Sequence, residues 1–488
     1  MSARSAGGRV LIASNRGPLS FTAGDNGQLT ARRGGGGMVS GLSTVAGEGD
    51  VLWVCAALSE ADRAAARDAP GGRLGLDGTP GGAGVRLLDI GEATFDAAYN
   101  AVANSALWFI HHLLYDTPNR PAFGTDFRRD WESFRSYNAA FAEALAADAG
   151  PADSQPPARA VVQDYHLSLV PRMLAELRPD IRIAHFSHTP WAPPDYYRIL
   201  PDQAARELLE GILGADHAGF LSQRWADSFL DCCAGILGAS VDRAARRVSY
   251  RGHVTSVAVH PLGVDADELI ARAAEPDVQA RLAALTKTAG RTRVIVRVDR
   301  TELSKNIVRG LAAYRELLIT RPQWRGQVTH VAFAYPSRTD LPEYRAYTAH
   351  VQRLASEINE EFGTADWQPL ILEVVDDYAR SLAAYRIADV AVVNPIRDGM
   401  NLVAKEIPIV SDHGCVLVLS REAGAADELG SEALLVNPYD VAATAEALHE
   451  ALSMTAAERI RRSAALAKAG AAMPPQLWFA QQLAALGP

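Results

Sequence analysis

Several things are scarce in this 488-residue chain, and each shortage narrows what it can be. Four cysteines (Cys55, Cys232, Cys233 and Cys415) are too few for a disulfide framework, and neighbouring Cys232 and Cys233 lack the spacing of a zinc site. A reduced, cytoplasmic protein is the plain expectation. Long apolar runs are missing: no stretch reaches the roughly 18 residues of a membrane span. The opening M-S-A-R-S-A-G-G-R has no apolar core of signal length. No membrane partner is therefore expected. An excess of positive charge is missing as well. The 48 Lys and Arg against 57 Asp and Glu leave −9, which argues against a nucleic-acid partner while permitting a local basic pocket. His111-His112 has no companion at metal-ligand spacing, so no metal site is read. The glycine run R-R-G-G-G-G-M-V-S-G-L (32–42) does not have the spacing of a dinucleotide fingerprint.

Apolar residues make up 48% of the chain, enough for buried sheets, and the length suggests two domains of roughly 200–250 residues. Short apolar runs alternate with amphipathic segments. Runs at 10–14, 51–55, 160–162 and 181–187 read as strands of one sheet. Those at 294–298, 328–334, 370–375, 390–393, 416–420 and 433–436 read as strands of a second. Such near-continuous Val/Ile/Leu runs suit parallel strands covered on both faces. One intervening helix is predicted over 307–318, with apolar residues at 307, 308, 311, 314 and 318. The fold class is thus α/β, with two doubly wound domains. The break is placed near V-H-P-L-G-V-D (259–265), giving domains 1–264 and 265–465. The segment 466–488, with Trp478 and Phe479, is expected to be a helix docking back onto the first domain.

The chemistry-bearing residues cluster at predicted strand ends. After the run A-D-V-A-V-V-N-P-I comes R-D-G-M-N-L-V-A-K-E (397–406), a turn leading into a helix. Free N–H groups at a helix N-terminus form an anion site, and Asp398 and Glu406 suit hydroxyl groups on either side of a phosphate. Eight residues along a helix span about 12 Å, so the two acids cannot act on one atom. After V-I-V-R-V comes R-T-E-L-S-K-N (300–306). Arg300 and Lys305 suit a diphosphate leaving group, or are simply surface cations, and Ser304 or Asn306 is a candidate cap for the next helix. Arg16 in S-N-R-G-P, Asp164 in Q-D-Y-H-L, His188 in S-H-T-P-W and Arg338 in Y-P-S-R complete the polar strand ends.

Taken in order, these segments resemble the trehalose-6-phosphate synthase family of retaining glycosyltransferases. Y-N-A-V-A-N-S-A-L-W (99–108), S-H-T-P-W-A-P-P, S-R-E-A-G-A-A-D-E-L (420–429) and L-V-N-P-Y-D (435–440) add to the match, which is worded most like the actinobacterial branch. The resemblance implies a GT-B architecture with the active site in a cleft. It implies that Arg300 and Lys305 hold the diphosphate. Asp398, Gly399, Met400, Asn401, Leu402 and Val403 would hold the donor glucose and phosphate, and Glu406 the ribose. His188 would contact the donor sugar, and Gly36 and Gly37 would belong to a loop closing over it. Arg16, Tyr99, Trp108 and Arg338 would hold glucose 6-phosphate, with Asp164 on its sugar. Asp265-Ala-Asp267, which looks like the D-x-D metal motif of another glycosyltransferase architecture, reads as solvated.

The expected reaction is transfer of glucose to the anomeric oxygen of glucose 6-phosphate with retention, without metal or cofactor. Branch wording leans toward GDP-glucose over UDP-glucose as donor. A homo-oligomer is left open. Two rivals are a pseudo-glycosyltransferase coupling cyclitol phosphates and a catalytically silent sugar-phosphate sensor. Asp299-Arg300 where the family often has Glu-Arg, Glu302 where many members have Asp, and G-G-G-G-M in the donor loop are departures.

Overall fold

The computed structural model describes residues 8–24, 28–33, 50–74 and 84–487. Gly36 and Gly37 lie outside them. The chain folds as two compact units, Met1–Leu262 together with Pro475–Pro488, and Gly263–Pro474. The helix Ala456–Gly470 passes unbroken through position 466, where Leu466 is buried. The chain therefore leaves the second unit at Pro475, not at 466 as the sequence suggested.

The first unit is built on a ten-stranded sheet. Seven of its strands are parallel. In chain order they are Val10–Ser14, Val51–Ala56, Gly84–Leu88, Arg159–Gln163, Arg182–Ser187, His217–Phe220 and His253–Val259. Counted that way, their order across the sheet is 3-2-1-4-5-6-7. Short antiparallel strands finish both edges. The central strands Val10–Ser14 and Val51–Ala56 are buried at every position. The returning helix Pro475–Ala484 belongs to this unit, with Trp478 and Phe479 fully buried.

The second unit holds six parallel strands: Arg293–Arg300, Val328–Tyr335, Leu370–Val374, Val390–Val393, Val416–Ser420 and Leu434–Val436. Their order is 3-2-1-4-5-6, that of a dinucleotide-binding sheet. Ile307, Leu311, Tyr314, Leu317 and Leu318 of the helix Ile307–Thr320 pack into its core, the face that the sequence periodicity marks. In both units the chain returns from its third parallel strand across the sheet to its fourth, so the strand order reverses between the neighbouring first and fourth strands. In such sheets the crevice beyond the carboxyl ends of these two strands is where ligands bind.

Among the described residues, no helix is long and apolar enough to cross a membrane.

Candidate functional site

In the second unit the two loops flanking the crossover carry the predicted cations and acid. Arg300 ends the strand Arg293–Arg300, and Lys305 ends the turn Leu303–Lys305 before the next helix. Lys305 does not face solvent. Its Nζ lies 2.6 Å from Asp398 Oδ2, and Asn401 Nδ2 donates to the same oxygen at 3.1 Å. Burial opposes the charge on Lys305, but Asp398, Asp299 and Glu302 outweigh it and raise its pKa. The loops are tied directly by Ile396 N–H donating to Ser304 O at 2.8 Å. Beneath them, fully buried Arg297 donates to Asp299 at 2.8 Å and to the Lys305 carbonyl at 2.6 Å.

Glu302, which is 0% exposed, is the counter-charge of this corner. Its Oε1 accepts from Ser337 at 2.9 Å and lies 3.4 Å from Arg300, whereas its buried Oε2 has no hydrogen-bond partner among the described residues. Burial alone would raise its pKa, yet Arg300, Arg338 and Lys305 prevail and hold it at about 2. Arg338 thus stands in the second unit beside the diphosphate candidates, donating to Tyr344 at 2.6 Å from a left-handed backbone of φ 47°. Ser304 and Asn306 do not cap the next helix through their side chains. Asn306 occupies the N-cap position but donates to Asn394 O and Pro438 O, and Tyr347 Oη accepts from Ile307 N–H at 2.7 Å instead.

The segment 397–406 corrects the spacing argument. Only Val403–Val410 is helical, so Asp398 and Glu406 are not eight residues apart on one helix. Asp398 bridges to Ala423, and Gly424 N–H and Ala425 N–H donate to the carbonyls of Asp398 and Met400 at 3.1 and 2.9 Å. Gly424 is required there, because a Cβ would overlap the Gly399 carbonyl. Asn401 turns the chain at φ 78°, and its Oδ1 accepts from Ala404 N–H at 3.3 Å, so the side-chain cap of this helix comes from Asn401 and not from Leu402 at the N-cap. The two acids are separated by surroundings rather than by helix length. Asp398 pairs with Lys305, while Glu406 takes a hydrogen bond from Tyr385. Burial pushes the Glu406 carboxyl up to about 7.

In the first unit the same two positions carry Arg16 and Asp164. Arg16 follows the first strand and is exposed. Asp164 follows the fourth, at φ 74° and ψ 169°, a conformation that essentially only glycine adopts. Its Oδ1 accepts from His188 N–H at 3.2 Å, and its Oδ2 lies 3.8 Å from His166 Nδ1. Burial pushes the His188 imidazole down to about 4, so the ring is neutral at neutral pH. His188 Nε2 meets Gln163 Oε1 at 2.8 Å.

Tyr99 and Trp108 converge on the residues after Asp164. Tyr99 stacks on His166 with ring centroids 5.5 Å apart, Trp108 lies 5.9 Å from Tyr165, and Tyr165 Oη donates to Asn104 at 2.8 Å. The intervening Ala97–Leu107 is a π-helix. Its i→i+5 bonding turns each residue by roughly 80°, against about 100° in an α-helix. Nine residues then return to about the same side, where an α-helix would set Tyr99 and Trp108 opposite each other. Reading the sequence at α-period could not find this face. Arg297, Gln163 and Tyr385 carry no motif of their own, and Asp299 stands out only as a departure from the family wording. Only the polar residues inside otherwise apolar strands (Arg297, Asp299, Gln163) gave a signal.

Asp265 and the His111-His112 pair have structural roles. Asp265 caps the helix Ala266–Ala273 by accepting from Glu268 N–H at 3.0 Å. His112 stacks on Trp108, and His111 packs against Trp191. Among the described residues, no three His, Cys, Asp or Glu side chains gather as a metal site would need.

The model of the family described as "Glycosyltransferase family 20" matches residues 8–487. The chain is 35% identical over 388 residues to the "Bifunctional trehalose-6-phosphate synthase/phosphatase" of Thermoproteus tenax, covering 79% of this chain and 51% of that protein. It is 34% identical over 469 residues to the "Alpha,alpha-trehalose-phosphate synthase (UDP-forming) 2" of Aspergillus fumigatus, covering 93% of this chain and 92% of that one. Against the first two curated relatives it spans about half their length, 51% and 54%. Among solved structures, "Trehalose-6-phosphate from E. coli bound with UDP-2-fluoro glucose" superposes with a TM-score of 0.83 at 29% identity, covering 98% of each chain.

Proposed function

The chain belongs to glycosyltransferase family 20 and has the GT-B architecture, and we propose that it is a retaining glucosyltransferase making trehalose 6-phosphate from a nucleoside-diphosphate glucose and glucose 6-phosphate. The observation that carries this reading is the crossover of the second unit, where Lys305, Asp398 and the turn after it share one crevice with Arg300. The diphosphate would sit on Lys305, Arg300 and the N–H groups of 399–403. Asp398 would hold hexose hydroxyls and Glu406 the ribose. Arg16, Tyr99, Trp108 and Arg338 would hold the acceptor, with Asp164 and His188 on the two sugars and Gly36 and Gly37 covering the donor.

In the reaction the bond from the anomeric carbon to the diphosphate oxygen breaks. The acceptor's anomeric hydroxyl bonds to the same carbon from the same face, and its proton passes to an oxygen of the departing phosphate. Arg300 and Lys305 neutralise the charge that develops there, which is electrostatic stabilisation of the transition state. The Aspergillus fumigatus relative named above as UDP-forming supports UDP-glucose as donor and lends no support to the GDP preference read from branch wording. The cytoplasm is the proposed setting, consistent with four free, buried thiols. A panel of UDP-, GDP- and ADP-glucose with glucose 6-phosphate, followed by nucleotide release and sugar analysis, tests the reading. Turnover should be highest with UDP-glucose; no nucleotide release with any donor would overturn the synthase reading.

A further inference from the structure

We propose that Gln482, on the returning C-terminal helix, is a positioning residue that acts through Gln163 to fix which nitrogen of His188 carries the ring proton. Gln482 Nε2 faces the Trp478 carbonyl at 3.5 Å, Gln163 Nε2 faces Gln482 Oε1 at 3.0 Å, and His188 Nε2 faces Gln163 Oε1 at 2.8 Å. A carbonyl oxygen can only accept, so the end at Trp478 sets the direction of the whole chain. Gln482 must turn its amide nitrogen to that carbonyl and its oxygen to Gln163. Gln163 must then donate, which leaves its own oxygen to accept from His188. Turning over either amide would set two acceptors or two donors face to face. Both glutamines are 1% exposed, so water offers no substitute partner. Phe186 and Trp478 hold the ring at centroid distances of 4.9 and 5.4 Å.

The consequence is a neutral ring with its hydrogen on Nε2 and a bare lone pair on Nδ1. Such a nitrogen accepts from a sugar hydroxyl, whereas the other tautomer would present an N–H donor there and leave Nε2 facing the Gln163 oxygen with a lone pair. Its use in catalysis rests on the glucosyl-transfer reading; the tautomer itself does not. Gln482 lies 319 residues from Gln163, so the end of the chain reaches back to set a nitrogen at the sugar site.

The test is a long-range proton–nitrogen correlation on full-length protein with 15N-labelled histidine, with His188 assigned by its loss in H188A. Wild-type protein should show His188 as the Nε2–H tautomer alone. Q482M keeps the length of the side chain but not its hydrogen bonds. It should give a mixture of tautomers and lower kcat by about tenfold, with KM for glucose 6-phosphate unchanged. Adding Q163E, whose carboxylate can only accept, should restore the Nε2–H form. A wild-type ring protonated on Nδ1, or a Q482M protein with the wild-type tautomer and kcat, would overturn the proposal. If Q482M does not fold, the wild-type spectrum still decides the direction. An inactive protein with an intact Nε2–H signal would count against the glucosyl-transfer reading alone.

Discussion

Both units split their parallel sheets between the first and fourth strands, yet the side chains at the two splits differ in kind. In the second unit the split gathers charge: Lys305 on Asp398, and Arg300 and Arg338 around buried Glu302. In the first, Arg16 and Asp164 in a strained backbone stand with neutral polar groups, an imidazole and an amide relay, rather than with a cation cluster. Strand order settles where a crevice opens, and local residue choice settles what it is fit to hold. A fixed cation cluster suits a leaving diphosphate; directed acceptors and donors suit sugar hydroxyls.

The largest expected effect is at the charged split. Replacing Lys305 or Arg300 by Ala should lower kcat by about 10²–10³-fold, as loss of one transition-state donor does. R300A also removes the nearest cation from fully buried Glu302, so some loss of Tm is expected with it, smaller than in E302Q because the Arg300 side chain is 56% exposed. Near-normal turnover in both variants, with the fold intact, would remove the cations from the mechanism.

Next comes Glu302. E302Q takes the counter-charge from three cations in a buried corner and should cost about 3 kcal/mol of stability, read by denaturant melts at pH 7. The sign with pH follows from the direction of the shift. Despite burial, Arg300, Arg338 and Lys305 hold this carboxyl at about 2, below its usual 4.5. Its stabilisation is therefore full above about pH 4.5 and fades as pH falls toward 2, and the gap between wild type and E302Q should close over that range. A gap that does not change with pH would mean Glu302 acts by packing.

At the polar split the corresponding test concerns backbone strain. D164A and D164G both lose the carboxylate, so both should lose activity. D164G should nonetheless be the more stable by about 1–2 kcal/mol, since φ 74° and ψ 169° suit glycine alone. Equal melts for the two variants would show that the conformation carries no strain.

The contrast also separates what could be read in the residues from what could not. Parallel strands covered on both faces leave unbroken apolar runs, which is why Val10–Ser14, Arg293–Arg300 and Val390–Val393 were evident. His253–Val259 was not, because its burial is only intermittent and it leaves no continuous run. Lys305 and Asp398 were visible as types at strand ends, but their 2.6 Å pairing joins residues 93 apart in sequence. The shared face of Tyr99 and Trp108 depends on a π-helix, which a 3.6-residue period cannot reveal. Gln482 carries no local signal at all, because its partner stands 319 residues away.

Glu406 gives the smallest effect and the sharpest distinction between the two kinds of group, since it is a carboxyl that burial lifts to about 7 within the charged unit. A raised acid binds its proton more tightly when folded, so its effect on stability runs opposite to that of Glu302: stability is lost as pH rises from 4.5 toward 7. Its effect on the donor should run the other way. Ribose hydroxyls donate best to an ionised carboxylate, so nucleotide affinity should rise roughly tenfold between pH 6 and pH 8. The nucleotide's own phosphate titrates in this window, and the comparison that cancels it is wild type against E406Q, by calorimetry with the same ligand. The ratio of the two dissociation constants should change with pH near 7. A constant ratio would place Glu406 away from the ribose and leave the donor's base end to be held by other groups of the second unit.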